Sequence, residues 1–189
     1  MKTLRPFIPS LAAMLLASGG ASAQGVLIDK SEIRFTSKQK GAHIDGRFRR
    51  WKANVDFRPR QLSKSKAEFE IELASIDLAN DELETEVKRP VWFDTARYPI
   101  ARFESSTMKS LGNDRYEISG QLSLKGITRD VVVPMALKND IAGGYSVAEG
   151  QFTLNRFDFQ LGEGVSADTG TKLASEVAVK IRMVLPPVA

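Results

Sequence analysis

Residues 67–73 read Ala-Glu-Phe-Glu-Ile-Glu-Leu, apolar at every second position with glutamate between. A helix would scatter these side chains around its axis. A strand sorts them, because successive side chains point to opposite sides. The period returns at Trp51, Ala53, Val55 and Phe57, at Tyr116, Ile118, Gly120, Leu122 and Leu124, and at Val177, Val179, Ile181, Met183 and Leu185. Each stretch therefore has one apolar and one polar face, the signature of antiparallel sheet covered on a single side.

Turn signals divide these runs. Lys125-Gly126-Ile127-Thr128 predicts a hairpin between the strand ending at Leu124 and the run Val131–Met135. Leu111-Gly112-Asn113-Asp114 and Asn139–Gly144 predict two more connections, and the Gly-rich stretch 161–172 a loop. Pro134 cannot donate to a ladder, which assigns it to an edge, a bulge or the outward face. One segment breaks the alternation. Leu78–Arg89 carries acids early, Lys88-Arg89 late and Pro90 behind it, the pattern of a short helix capped by Asn80 or Asp81. The expectation is a mainly β domain of about eight strands with one helical insertion, closed into a barrel because closure removes exposed edges. A two-sheet sandwich is the rival.

The first residues set an expectation about compartment. Lys2 and Arg5 precede the apolar run Leu11–Ala17, and Ala21-Ser22-Ala23 has the small-x-small form that a signal peptidase cuts. We expect a cleavable signal peptide over residues 1–23, a single domain over 24–189, and a periplasmic location. The apolar run is too short for a transmembrane anchor. With no cysteine in the chain, neither a disulfide nor a cysteine-linked lipid is available, and the core must hold the domain together. Removing Lys2 and Arg5 from the 27 basic residues leaves 25 against 23 acids. Those charges are interspersed, which argues against nucleic acid as a partner.

No nucleophile elbow, phosphate loop or dinucleotide fingerprint occurs, and the single histidine, His43, has no serine tied to it. We expect no catalytic residue, no metal and no cofactor. Alternation assigns to the barrel interior Ile33, Phe35, Val55, Phe57, Phe69, Ile71, Leu73, Phe103, Leu122, Leu124, Phe152 and Leu154. Two runs turn polar on that face. One continues from Ile33 and Phe35 to Gln39 and His43; the other continues from Phe152 and Leu154 to Arg156 and Asp158. A buried charge is costly unless paired, so Arg156 and Asp158 either pair, stand at a wet mouth, or are turned outward by a bulge near Asn155 that sends Phe157 and Phe159 inward. A dry interior with a wetter rim suits an amphipathic ligand, tail inside and head at the edge.

Several stretches, in order, resemble one known family. They are SEIRFTSKQKG (31–41) with GRF (46–48), ASIDLANDELE (74–84), PVWFDTARYPIARFESS (90–106), GQLSLKGITRDVVVP (120–134) and NRFDFQLGEG (155–164). The chain is similar to the YceI-like family of exported bacterial proteins. Gln39 stands where that family often has histidine, and Gln160 lies near a position often held by glycine. The resemblance implies an extended, antiparallel, eight-stranded lipocalin-like barrel. It also implies a bound long polyisoprenoid, such as an isoprenoid quinone or polyprenyl phosphate, or another long-chain amphiphile, and no defined reaction. A homodimer is left open. The rival readings are an enzyme on a small lipophilic substrate with Arg156, Asp158 or His43 at the mouth, and a structural or stress-response barrel filled by its own side chains. The crowded segment Trp92–Ser106 is read as architecture, a corner handing over to a strand.

Overall fold

In the computed structural model, which describes residues 25–140, 144–163 and 173–186, ten strands form one antiparallel sheet. They are β1 (Glu32–Gln39), β2 (Ala42–Phe48), β3 (Trp51–Asp56), β4 (Lys66–Glu72), β5 (Ile76–Asp77), β6 (Ile100–Gly112), β7 (Arg115–Leu124), β8 (Ile127–Asp140), β9 (Tyr145–Asn155) and β10 (Glu176–Leu185). The helix α1 (Asp81–Val87) lies between β5 and β6. The leader expected over residues 1–23, residues 141–143 of the Asn139–Gly144 connection and residues 164–172 of the Gly-rich loop lie outside the described residues.

Ten strands replace the expected eight because two of them bend. The chain passes from β2 to β3 through Arg49-Arg50, and from β4 to β5 through a 3-10 turn at Leu73–Ser75. Pairing continues across both bends. Arg49 N–H donates to Ser75 O (3.0 Å) and Glu72 N–H to Arg50 O (3.1 Å), linking the β2·β5 ladder to the β3·β4 ladder. In the order β3-β4-β6-β7-β8-β9-β10-β1-β2-β5, the terminal strands β3 and β5 are thus continuations of strands near the opposite end. The sheet curls back on itself into a barrel-like shell, and the two-sheet sandwich does not form.

Local chemistry explains the connections. The hairpins β1–β2 and β7–β8 turn on Lys40-Gly41 (φ 51° and 86°) and Lys125-Gly126 (φ 51° and 75°). Two consecutive positive φ values match the right-handed strand twist, and glycine reaches them without a Cβ clash. The helix is shorter than the predicted Leu78–Arg89. The Asn80 side chain accepts from Leu83 N–H (3.0 Å) and starts it, and Ala79 upstream has φ 53°, outside the helical region. No described helix is long and apolar enough to cross a membrane.

The segment Trp92–Ser106 is a corner followed by a strand. Asp94 takes a positive φ of 50°, its carbonyl accepts from Tyr98 N–H (2.8 Å), and Pro99 O accepts from Leu73 N–H (2.9 Å), pinning the corner to the β4 bend. Ser105 on β6 faces inward and accepts from Ala67 N–H (2.8 Å). The Ser105 hydroxyl thus serves the backbone here.

Candidate ligand-binding cavity

The inward faces of the strands enclose a cavity of about 310 Å³. Its axis follows the strands. At one end Leu83 and Val87 of α1 stand with Trp92 and Phe93, and Phe93 meets Phe48 with ring centroids 6.4 Å apart. Six residues of β3, roughly 20 Å at the usual strand rise, separate this end from the other. There Phe57 packs edge-on against Tyr116 at 5.0 Å, beside Met108 and Leu185. Between them Phe69 lies 6.2 Å from Phe103 and 6.5 Å from Trp51.

All twelve residues assigned inward by alternation stand in this wall: Ile33, Phe35, Val55, Phe57, Phe69, Ile71, Leu73, Phe103, Leu122, Leu124, Phe152 and Leu154. Sequence reasoning did not assign Phe48, Leu83, Val87, Met108 or Tyr116, which also line it. Three of these carried a signal: Tyr116 shares the alternation of Leu122 and Leu124, and Leu83 and Val87 are spaced i, i+4, the helical stripe, in a segment read chiefly for its charges.

The four polar candidates divide. Gln39 and Arg156 line the cavity; His43 and Asp158 do not, and both are exposed. Running one strand from Ile33 onward puts His43 on the inner face. The Lys40-Gly41 turn instead pairs Gln39 with Ala42. Cross-strand partners share a face, so parity switches: Ile44, Gly46 and Phe48 point inward, while His43 lies opposite Lys38 on the outer surface. Extending strand alternation past Asn155 puts Asp158 on that face too. The chain there enters a 3-10 turn, Arg156–Phe159, in which residues three apart share a side. Arg156 and Phe159 go inside, Phe157 and Asp158 outside. The bulge that would have turned Arg156 outward does not occur, and Asp158 is not its counter-ion.

Arg156 is 7% exposed, yet among the described residues no carboxylate pairs with it. Its guanidinium donates instead to backbone carbonyls: Nε to Ala174 O (3.1 Å), Nη1 to Leu161 O and Nη2 to Leu173 O (3.4 Å). It lies between the rings of Phe157 (3.9 Å) and Trp92 (5.6 Å), a geometry that favours a cation over a π face. Burial lowers its pKa. A guanidinium has five N–H donors, and these bonds use three. Nearby, Glu86 accepts from the Trp92 indole N–H (3.2 Å) and from Arg89 (3.0 Å). The cavity is thus apolar along its length, with Gln39, Glu86 and Arg156 gathered at the α1 end. Such a space can take an apolar chain. Among the described residues, no group of three His, Cys, Asp or Glu is arranged to hold a metal.

This architecture has relatives. The chain is 31% identical over 170 residues to a UPF0312 protein of Azotobacter vinelandii, covering 85% of this chain and 86% of that one. It is 30% identical, again over 170 residues, to a UPF0312 protein of Pseudomonas syringae pv. tomato (85% and 88% covered). Among solved structures, Burkholderia cenocepacia BcnA superposes with a TM-score of 0.78 at 31% identity, covering 84% of this chain and 98% of that one. A polyisoprenoid-binding domain from Saccharophagus degradans, implicated in plant cell wall breakdown, shares the fold with a TM-score of 0.69 at 15% identity (87% and 98% covered). The model of the YceI-like domain matches residues 26–185, from the segment before β1 to the end of β10, and the chain belongs to that family.

Proposed function

We propose that this protein holds a long amphipathic isoprenoid, an isoprenoid quinone or polyprenyl phosphate, with its chain along the cavity and its head toward Arg156, and that it acts as a carrier or store in the periplasm. It performs no chemistry on its cargo. The observation that carries this reading is one apolar cavity running along the strands with, at one end, a buried guanidinium that no carboxylate among the described residues pairs with. The shared fold of the polyisoprenoid-binding domain supports it.

Energetics shape the expected selectivity. Each buried CH₂ contributes ~0.8 kcal/mol, so a chain of tens of carbons would by simple addition pass the roughly −20 kcal/mol ceiling of non-covalent binding. The cost of ordering a flexible tail offsets much of that gain. Affinity therefore changes little between neighbouring chain lengths, and the depth of the cavity sets the limit.

The test is native mass spectrometry of protein prepared from the periplasm without detergent, with solvent extraction of what accompanies it. A stoichiometric adduct that extracts as an isoprenoid supports the reading. A bare mass, unchanged after incubation with quinones and polyprenyl phosphates, refutes it.

A further inference from the structure

The shell is not paired along its whole circumference. β8 and β9 form a ladder from Asp140↔Tyr145 to Met135↔Gly150, and there it stops. Carried onward, the same register would set Pro134 opposite Gln151, Val133 opposite Phe152, Val132 opposite Thr153, Val131 opposite Leu154 and Asp130 opposite Asn155. None of these pairs forms, although both segments remain strands: β8 stays paired with β7 down to Ile127, and β9 with β10 as far as Asn155. The break falls at Pro134, which has no N–H to donate. Beyond the gap, the 3-10 turn Arg156–Phe159 packs against β8 again. The result is a window in the wall, bounded by the Met135↔Gly150 pair at one end and by the turn bearing Arg156 at the other.

Side chains alone close this window. Val133, Phe152 and Leu154 face the cavity across it, with Val131 packed into the adjoining core cluster. On the outside the same region carries two of the few large apolar side chains exposed among the described residues, Val132 (50%) and Phe157 (46%). An apolar path thus runs from the outer surface, between two strands, into the cavity. Wherever two strands are laddered, parting them would break hydrogen bonds; across this gap a change of side-chain rotamers is enough. Proline on a free edge also blocks strand addition by another chain, so the gap suits passage better than docking.

We infer that the β8–β9 window is the port through which an apolar chain enters sideways from a bilayer, its polar head coming to the turn that bears Arg156. This rests on the lipid-holding reading above. The cysteine-free sequence makes a specific test available. Val132→Cys with Thr153→Cys, joined by a short bis-maleimide, ties the window shut from outside. Ser119→Cys with Val132→Cys, joined in the same way, spans the intact β7·β8 ladder, where Ser119 pairs with Val132, and serves as the control. Uptake of a long-chain polyprenyl phosphate from phosphatidylcholine vesicles is followed by native mass spectrometry of the recovered protein. Bridging the window should slow uptake roughly tenfold, as restraining a gating element does, while the control bridge leaves the rate near that of the unbridged protein. Equal uptake in window-bridged and unbridged protein overturns the port and leaves the carrier reading standing. Equal slowing by both bridges also overturns it. A wild-type chain that takes up no prenyl lipid overturns both.

Discussion

Arg156→Met isolates what the buried guanidinium does for the fold. The variant removes the donors serving the carbonyls of Leu161, Leu173 and Ala174. A buried acceptor left without a donor costs about 1–3 kcal/mol. The Leu161 bond is buried and the other two are only partly so, which lets water replace the arginine there. One full penalty and two fractional ones come to about 2–4 kcal/mol. The thioether packing between Trp92 and Phe157 returns less than ~1 kcal/mol of that. The assay is urea unfolding followed by tryptophan fluorescence. The midpoint should fall with the slope unchanged, the mark of lost stability without altered compactness. Arg156→Lys should recover only a part, because one ammonium cannot span three carbonyls as a planar fork does. A loss below about 1 kcal/mol, or full recovery by lysine, would refute the claim that Arg156 staples the end of the shell.

Two further outcomes follow from the same geometry. Asp77 on β5 is held by Arg49 (2.9 Å) and Arg47 (2.9 Å), whose hydrogen bonds, with one from the Ala79 backbone, lower its pKa well below the usual 3.8. A depressed folded-state pKa contributes stability that is present above the unfolded value and lost as pH falls below it. Asp77→Asn should therefore melt earlier at neutral pH and differ progressively less from wild type as the solution is acidified below about pH 4; a difference in melting temperature that stays constant as the pH is taken well below that value would contradict the pairing. Leu73, 1% exposed in the 3-10 turn at the β4–β5 bend, should cost about 2–5 kcal/mol when cut to alanine. Calorimetry would show it, and a negligible shift would mean that the bend carries little of the core.

Much of the wall could be read from single stretches of chain. Alternation in Ala67–Leu73 or in Tyr116–Leu124 is a local property, since the pleat alone decides which side chains share a face. That is why the twelve apolar positions assigned by period two all stand around the cavity. His43, Asp158 and the strand count escaped because each depends on where the period is interrupted. At Lys40-Gly41 a two-residue turn switches the parity of everything after it, and at Asn155 a 3-10 turn replaces period two by period three.

What the sequence determines by itself is the class of object: one apolar face per strand, turns that join neighbours, no cysteine to staple them, and hence a curled sheet around its own side chains. Pro134 shows the boundary of that knowledge. Its lack of an N–H announces a break in some ladder, but only the tertiary structure decides that the broken ladder is β8·β9 and that a window opens there. The bends at Arg49-Arg50 and Leu73–Ser75 are of the same kind. They exist because distant strands must meet to complete the shell, and a demand made by the partner strand leaves no periodic trace in the residues that satisfy it.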